Sequence, residues 1–157
     1  MITESAREVE HLIPQLCHEH YQRAQSLFRD LGLWRGQPPI LMRLWEEDGC
    51  TQSELAEALQ VRPATITRMI RRMERSGFVQ RRPDPADQRL VRVYLTEAGR
   101  AVRPRVESIR QTLATEMLEG LSLEEQLLLR RLLVQMRDNL RRANSGRRSC
   151  SLQCLAD

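Results

Sequence analysis

A chain of 157 residues with 29% charged side chains, 4% aromatics and only seven each of Gly and Pro suits a helix-rich globular protein. It is long enough to bury one good-sized core, or a small domain carrying a helical arm. No run of about 18 apolar residues occurs, which excludes a helical membrane span, and the acidic, polar-interrupted start MITESAREVEHL is no secretory signal, so a cytoplasmic location is expected.

The net charge of +4 is unevenly placed. Residues 62–92 hold nine arginines against Glu74, Asp84 and Asp87, a net of +6, and the rest of the chain sums to −2. A basic segment in a near-neutral chain is the footprint of a phosphate-binding face. All 25 basic residues are arginine, so the face presents planar forks rather than point charges. The cysteines at 17, 50, 150 and 154 fit no disulfide framework. Cys150 and Cys154 lack the two nearby ligands that zinc needs, and no metal or cofactor is expected.

In chain order, residues 4–31 read as a long helix, with Val9, Leu12, Ile13, Leu16, Ala24, Leu27, Phe28 and Leu31 at spacings of three and four. Pro14 should kink it or mark a fresh start, and Gly32 should end it. Gln37-Pro38-Pro39 opens a second helix with Ile40, Leu41, Leu44 and Trp45 inward, ending at Asp48-Gly49. Thr51-Gln-Ser-Glu54 is a capping box that launches a short helix burying Leu55, Ala58 and Leu59. After a turn at 60–62, Pro63 starts a helix with Ile66, Met69, Ile70 and Met73 on one stripe. Its other face carries Thr65, Thr67, Arg68, Arg71, Arg72 and Arg75. Two strand-like runs, 78–82 and 90–95, bracket a charged, Pro-stiffened tip at 83–89. Thr96 caps a helix over 96–119, and Ser122-x-x-Glu125 caps a last helix over 122–142. Residues 143–157 read as a flexible tail.

A short capped helix, a tight turn, a helix with one Arg/Thr face and a basic hairpin together describe a winged helix-turn-helix. A helix of this kind fits the major groove of B-DNA, where Arg pairs with guanine and Thr meets a base or thymine methyl. Further arginines hold phosphates, and an arginine-tipped hairpin is the right size for the flanking minor groove. The expected fold is mostly α with a small β-wing. A DNA-binding domain at 36–95 lies between an N-terminal dimerisation helix, 1–35, and C-terminal dimerisation helices, 96–142. The leucines of 122–142 form a stripe too wide for one packing partner, and a second copy of the chain would cover it.

The segments 51–59, Thr65-Ile-Thr-Arg68, Arg72-Met-Glu74, Gly77-Phe-Val79, Asp84-Pro85, Asp87-x-Arg89 and Leu95-Thr-Glu-Ala-Gly99 together resemble the MarR family of transcription regulators. The resemblance spans about residues 5–142. It implies a homodimer whose winged domains read a pseudo-palindromic operator in double-stranded DNA, most often as a repressor released by a small aromatic effector. Thr65, Thr67 and Arg68 fall at the groove, Arg71, Arg72 and Arg75 at phosphates, and Thr51 is a further DNA-binding residue. Arg89 enters the minor groove, braced by Asp87. Arg62 stands where relatives often place a capping Ser; arginine cannot accept from the free helix N–H groups, and its side chain is instead expected at a base or phosphate.

Cys17, Tyr21 and Trp45 are the candidates for effector or redox sensing, Cys17 because some peroxide-sensing relatives carry a reactive cysteine in the first helix. Metal sensing by His11, Cys17, His18 and His20 fails on spacing, since 17, 18 and 20 cannot share a helical face. No nucleophile–base pair, phosphate loop or carboxylate cluster points to an enzyme. The rival class is a winged-helix protein-interaction module that does not bind DNA.

Overall fold

The first helix of the computed structural model, which describes residues 3–34 and 36–153, opens at Thr3, whose hydroxyl accepts from the Ala6 N–H at 3.2 Å. This helix, α1 (Glu4–Arg29), runs through Pro14 as one element, although Pro14 has no N–H to return to the Glu10 carbonyl. It closes as expected at Gly32: with φ +66 there, the Leu33 N–H folds back to the Phe28 carbonyl at 3.3 Å. Only Phe28 of α1 is buried, while Val9, Leu12, Ile13 and Leu16 stay exposed.

α2 (Gln37–Glu46) buries Ile40, Leu41 and Leu44 completely, and Trp45 is half-buried beside them. A two-residue strand follows, β1 (Cys50–Thr51), which the sequence did not signal. Thr51 then caps α3 (Gln52–Ala58). The capping box is complete: Glu54 N–H donates to Thr51 Oγ1 at 3.2 Å, and Thr51 N–H to Glu54 Oε2 at 2.7 Å. The inward face is Leu55, Leu59 and Ala56, which turns Ala58 round the side, so the expected burial of Ala58 is corrected to Ala56.

The turn out of α3 places Gln60 at φ +52 and sends the Val61 N–H back to the Ala56 carbonyl at 3.0 Å. α4 (Pro63–Arg75) then buries Ile66, Ile70 and Met73 entirely. Each such side chain stabilises the fold by about 1.5–3 kcal/mol. The wing pairs β2 (Val79–Pro83) with β3 (Val91–Leu95), antiparallel, in the register Val79↔Leu95 through Pro83↔Val91. β1 adds to the other side of β3, giving the sheet order β1-β3-β2.

The helix expected over 96–119 is two: α5 (Glu97–Ala101), capped by Thr96, and α6 (Arg103–Met117). The break follows from Pro104, which has no N–H for the Arg100 carbonyl. Gly99 of α5 fills a position no side chain can: a Cβ there would lie 2.1 Å from the Phe78 carbonyl oxygen. Val102 and Val106 complete the core that α2, α3, α4 and the sheet enclose.

Two compact units result, Met1–Thr115 and Glu116–Asp157. In the second, Ser122 and Glu125 form the expected capping box, at 2.8 and 3.2 Å, ahead of α7 (Leu123–Gln153). Residues 143–153 of the expected flexible tail therefore have helical backbone, and 154–157, with Cys154, lie outside the described residues. No described residue of α7 up to 144 is buried, and Leu123, Leu127, Leu128, Leu132, Leu133 and Leu140 are all exposed. Among the described residues no helix is long and apolar enough to cross a membrane.

Candidate nucleic-acid interface

α4 divides its sequence between two jobs. The buried stripe faces the core, and the opposite side leaves Arg68, Arg71, Arg72 and Arg75 exposed. The one acid of this helix, Glu74, makes no ion pair with them. It receives Arg81 of β2 at 2.8 Å (Nη2) and 3.0 Å (Nε), and that contact holds its carboxyl below the usual range. Arg68, Arg71, Arg72 and Arg75 are without a carboxylate partner among the described residues. Arg62 is the N-cap and makes no side-chain capping bond, as its chemistry requires; it is exposed.

The threonines are less free than the arginines. Thr67 Oγ1 lies 3.0 Å from Gln52 Oε1 and 3.0 Å from the Pro63 carbonyl, so its hydroxyl ties α4 to α3. Thr65 is half-buried at the start of α4. Thr51, expected among the DNA-binding residues, holds the α3 cap and pairs with Arg92 in the sheet.

The wing is organised by Asp84, 5% exposed. Its Oδ1 accepts from the Ala86 N–H at 2.7 Å and the Asp87 N–H at 2.9 Å, closing the tip. Its Oδ2 accepts from Arg92 Nε, and Arg92 Nη1 reaches the Gly49 carbonyl at 2.8 Å. The guanidinium and the two amides hold the Asp84 carboxyl at about 2, against an ordinary 3.8. Asp87 Oδ1 accepts from the Arg89 backbone N–H at 3.0 Å. The brace expected of Asp87 thus fixes the chain at Arg89 and leaves that side chain exposed at the tip. Arg82 is exposed over the Tyr94 ring, 5.6 Å from its centroid.

The basic segment read from sequence therefore splits. Arg81 and Arg92 are committed to internal ion pairs, while Arg62, Arg68, Arg71, Arg72, Arg75, Arg82 and Arg89 face outward. Composition could not separate these two sets.

One residue beside this face was missed. Gln37 is buried at 1% exposure, and its Oε1 accepts from the Trp34 N–H at 2.9 Å. It borders a cleft with Thr65, Arg68, Met69 and Arg72. The signal was present: Gln three residues after Trp34 is the spacing of a capping box, unrecognised because its first residue is not Ser or Thr.

The sensing candidates are dispersed. Cys17 is exposed on α1, with Tyr21 half-buried a turn further on. Trp45 donates its Nε1–H to the Gly99 carbonyl at 3.0 Å and has Arg103 over its ring at 5.7 Å, which fixes it as a strut between α2 and α5. Cys50 is buried, donates to the Glu47 carbonyl, and has its thiol pushed up by burial.

A helix-turn-helix followed by an antiparallel wing, with arginines concentrated on its second helix, defines a winged-helix regulator of transcription. Residues 35–91 match the MarR family. The HTH-type transcriptional regulator YybA of Bacillus subtilis (strain 168) is 34% identical over 73% of this chain and 77% of its own length. TtmR of Methylorubrum extorquens (strain PA1) is 33% identical over 80% of this chain and 67% of its own length. Among solved structures, the transcriptional regulator SlyA superposes with a TM-score of 0.73 at 33% identity, covering 88% of this chain and 94% of that one. A mutant of MarR from E. coli complexed with operator DNA gives 0.76 at 27% identity, covering 82% and 93%. The chain belongs to the MarR family of transcriptional regulators.

Proposed function

We propose that this protein is a cytoplasmic, homodimeric repressor that binds a pseudo-palindromic operator in duplex DNA and is released by a small aromatic effector. The observation that carries the reading is the exposed arginine face of α4, whose only acid is taken by Arg81. α4 enters the major groove, where Arg68 and Thr65 meet base edges. Thr67 acts there by bracing α4 against α3, and Thr51 by holding the start of α3. Arg71, Arg72 and Arg75 hold phosphates, with Arg62 at a base or phosphate beside them. The wing carries Arg89 into the minor groove, its backbone held by Asp87. The neighbouring structure solved on operator DNA supports this mode for a protein of the same fold. The second copy is supported by the apolar faces that one chain leaves in solvent, on the first half of α1 and along α7. Winged domains one on each copy then match two half-sites.

For the effector, Tyr21 is the half-buried ring nearest in sequence to the exposed Cys17. Oxidation of Cys17 would be the alternative trigger; its exposure is the observation in favour of it. The decisive experiment is duplex binding as a function of salt. Contacts to roughly six to ten phosphates lose about 10³–10⁵ in affinity between 50 and 200 mM salt. A flat response would remove the DNA reading and leave a protein-interaction module.

A further inference from the structure

At the start of α2 a cleft of about 200 Å³ opens between Gln37 and the α4 side chains Thr65, Arg68, Met69 and Arg72. The N-terminus of a helix ordinarily presents free backbone N–H groups to an anion. Here that supply is poor. Pro38 and Pro39 have no N–H, and the Gln37 N–H is already donated to the Trp34 carbonyl at 3.0 Å.

Gln37, one of the residues that line the cleft, carries a side-chain donor in their place. Because the Trp34 N–H donates to Gln37 Oε1, the orientation of the amide is settled and Nε2 is the other end. That nitrogen is buried and has no partner among the described residues. Burying a donor unpaired is costly, so its persistence here points to an acceptor that arrives from outside. Arg68 and Arg72, one turn apart on the same wall, are exposed and unpaired with any carboxylate among the described residues. An amide N–H flanked by two guanidinium groups selects an anionic oxygen. The wall belongs to the face of α4 already assigned to the duplex, and the anionic oxygens that face meets are those of the phosphodiester backbone.

We infer that a backbone phosphate of the bound duplex docks in this cleft, accepting from Gln37 Nε2 and from Arg72, with Arg68 on the same wall reaching past it to a base edge. Gln37 is then a positioning residue for α4 in the groove. The inference rests on the DNA-binding reading given above. A neutral donor displaces no condensed cation, so its removal weakens binding while leaving the salt slope unchanged, whereas loss of Arg72 reduces that slope by about one.

The test uses the full chain and the duplex that the wild-type protein enriches from a random-sequence pool, read by fluorescence anisotropy. Gln37→Met removes the amide. Gln37→Glu keeps an oxygen for the Trp34 N–H but sets a carboxylate against the phosphate, so it answers the question if Gln37→Met fails to fold. Each variant is expected to bind about ten-fold or more weakly. Single phosphates are then replaced by neutral methylphosphonates. One position per half-site should weaken the wild-type protein and weaken Gln37→Met distinctly less, since the variant keeps only the arginine contact to that phosphate.

Equal affinity of folded Gln37→Met and wild type overturns the inference. So does weaker binding in which every phosphate still matters as much to the variant, since Gln37 would then act through the fold. A third overturning result is acetate raising the melting temperature of wild type but not of Gln37→Met, with duplex affinity equal, which would mark a small-anion site. A wild-type protein that enriches no duplex defeats the DNA reading itself, so the two failures are told apart.

Discussion

Asp84 lies almost out of solvent at the base of the wing, and the tip beyond it is hung from its two oxygens. Such a position tolerates a carboxylate only while the Arg92 guanidinium and the Ala86 and Asp87 amides surround it. Its folded value of about 2 lies below the ordinary 3.8. A depressed carboxylate contributes stability that is fully present above its unfolded value and is lost as pH falls through the folded one. The stability difference between wild type and Asp84→Asn should therefore be constant above about pH 5 and shrink from about pH 4 towards pH 2. Melting temperatures of both proteins across that range check it. A difference that stays constant down to pH 2 would show that the charge of Asp84 is not what holds the wing. The same pairing explains why this aspartate accompanies an arginine-rich segment without reducing its outward charge: Asp84 cancels Arg92, which faces inward, just as Glu74 cancels Arg81.

At the scale of elements, the turn between α3 and α4 sets where the arginine face points, and it does so with a non-glycine residue at positive φ. Gln60 at φ +52 carries a left-handed backbone that costs a Cβ-bearing residue on the order of 1 kcal/mol or more. Gln60→Gly should raise stability by about 1 kcal/mol, offset in part by the greater chain entropy glycine loses on folding. Denaturant unfolding measures it, and a lower midpoint would mean that the Gln60 side chain makes a contribution its geometry does not reveal. The helices on either side were legible in the sequence because each carries a signal of its own. Thr51 and Glu54 stand at capping-box spacing, and Ile66, Ile70 and Met73 repeat at a helical period against arginines. What was not legible has equally local causes. Cys50-Thr51 is too short to show alternation, so β1 was invisible. The spacing of Val102, Val106, Ile109 and Leu113 runs across Pro104 without a break, so 96–119 reads as one helix although the missing N–H divides it into α5 and α6. Residues 143–153, ANSGRRSCSLQ, are mostly polar and have no repeating apolar stripe to signal the rest of α7. The site was legible as a set of residue types on a face. The allocation of Arg81 and Arg92 inward, of Thr67 to the α3 contact, and of Gln37 to the cleft depends on tertiary neighbours that no spacing encodes.

For the whole molecule, the question is what covers the leucines. In one chain Leu12 is 59% exposed, Leu127 58%, Leu128 49% and Leu140 65%, and these are not scattered singles but runs along helices. Burial yields roughly 25 cal/mol for each Å² of apolar surface removed from water, so leaving such stripes in solvent forfeits a large stabilisation that a second copy of the chain can recover. Glutamate at two of these positions, Leu128→Glu with Leu132→Glu, places charge on the face of α7 without touching the core of the winged unit, since neither leucine is buried. The variant should retain its helical content by circular dichroism and sediment as a single chain at micromolar concentration, where wild type sediments as two. Its winged domain keeps the arginine face intact, so binding to a duplex carrying one half-site should change little. Binding to a duplex with both half-sites should fall by about a hundred-fold or more, because the second contact is no longer intramolecular. A wild type that sediments as one chain, or a variant that stays paired, would place the dimer contact elsewhere or nowhere. Equal loss on both duplexes would mean that these leucines support the winged unit itself rather than its pairing.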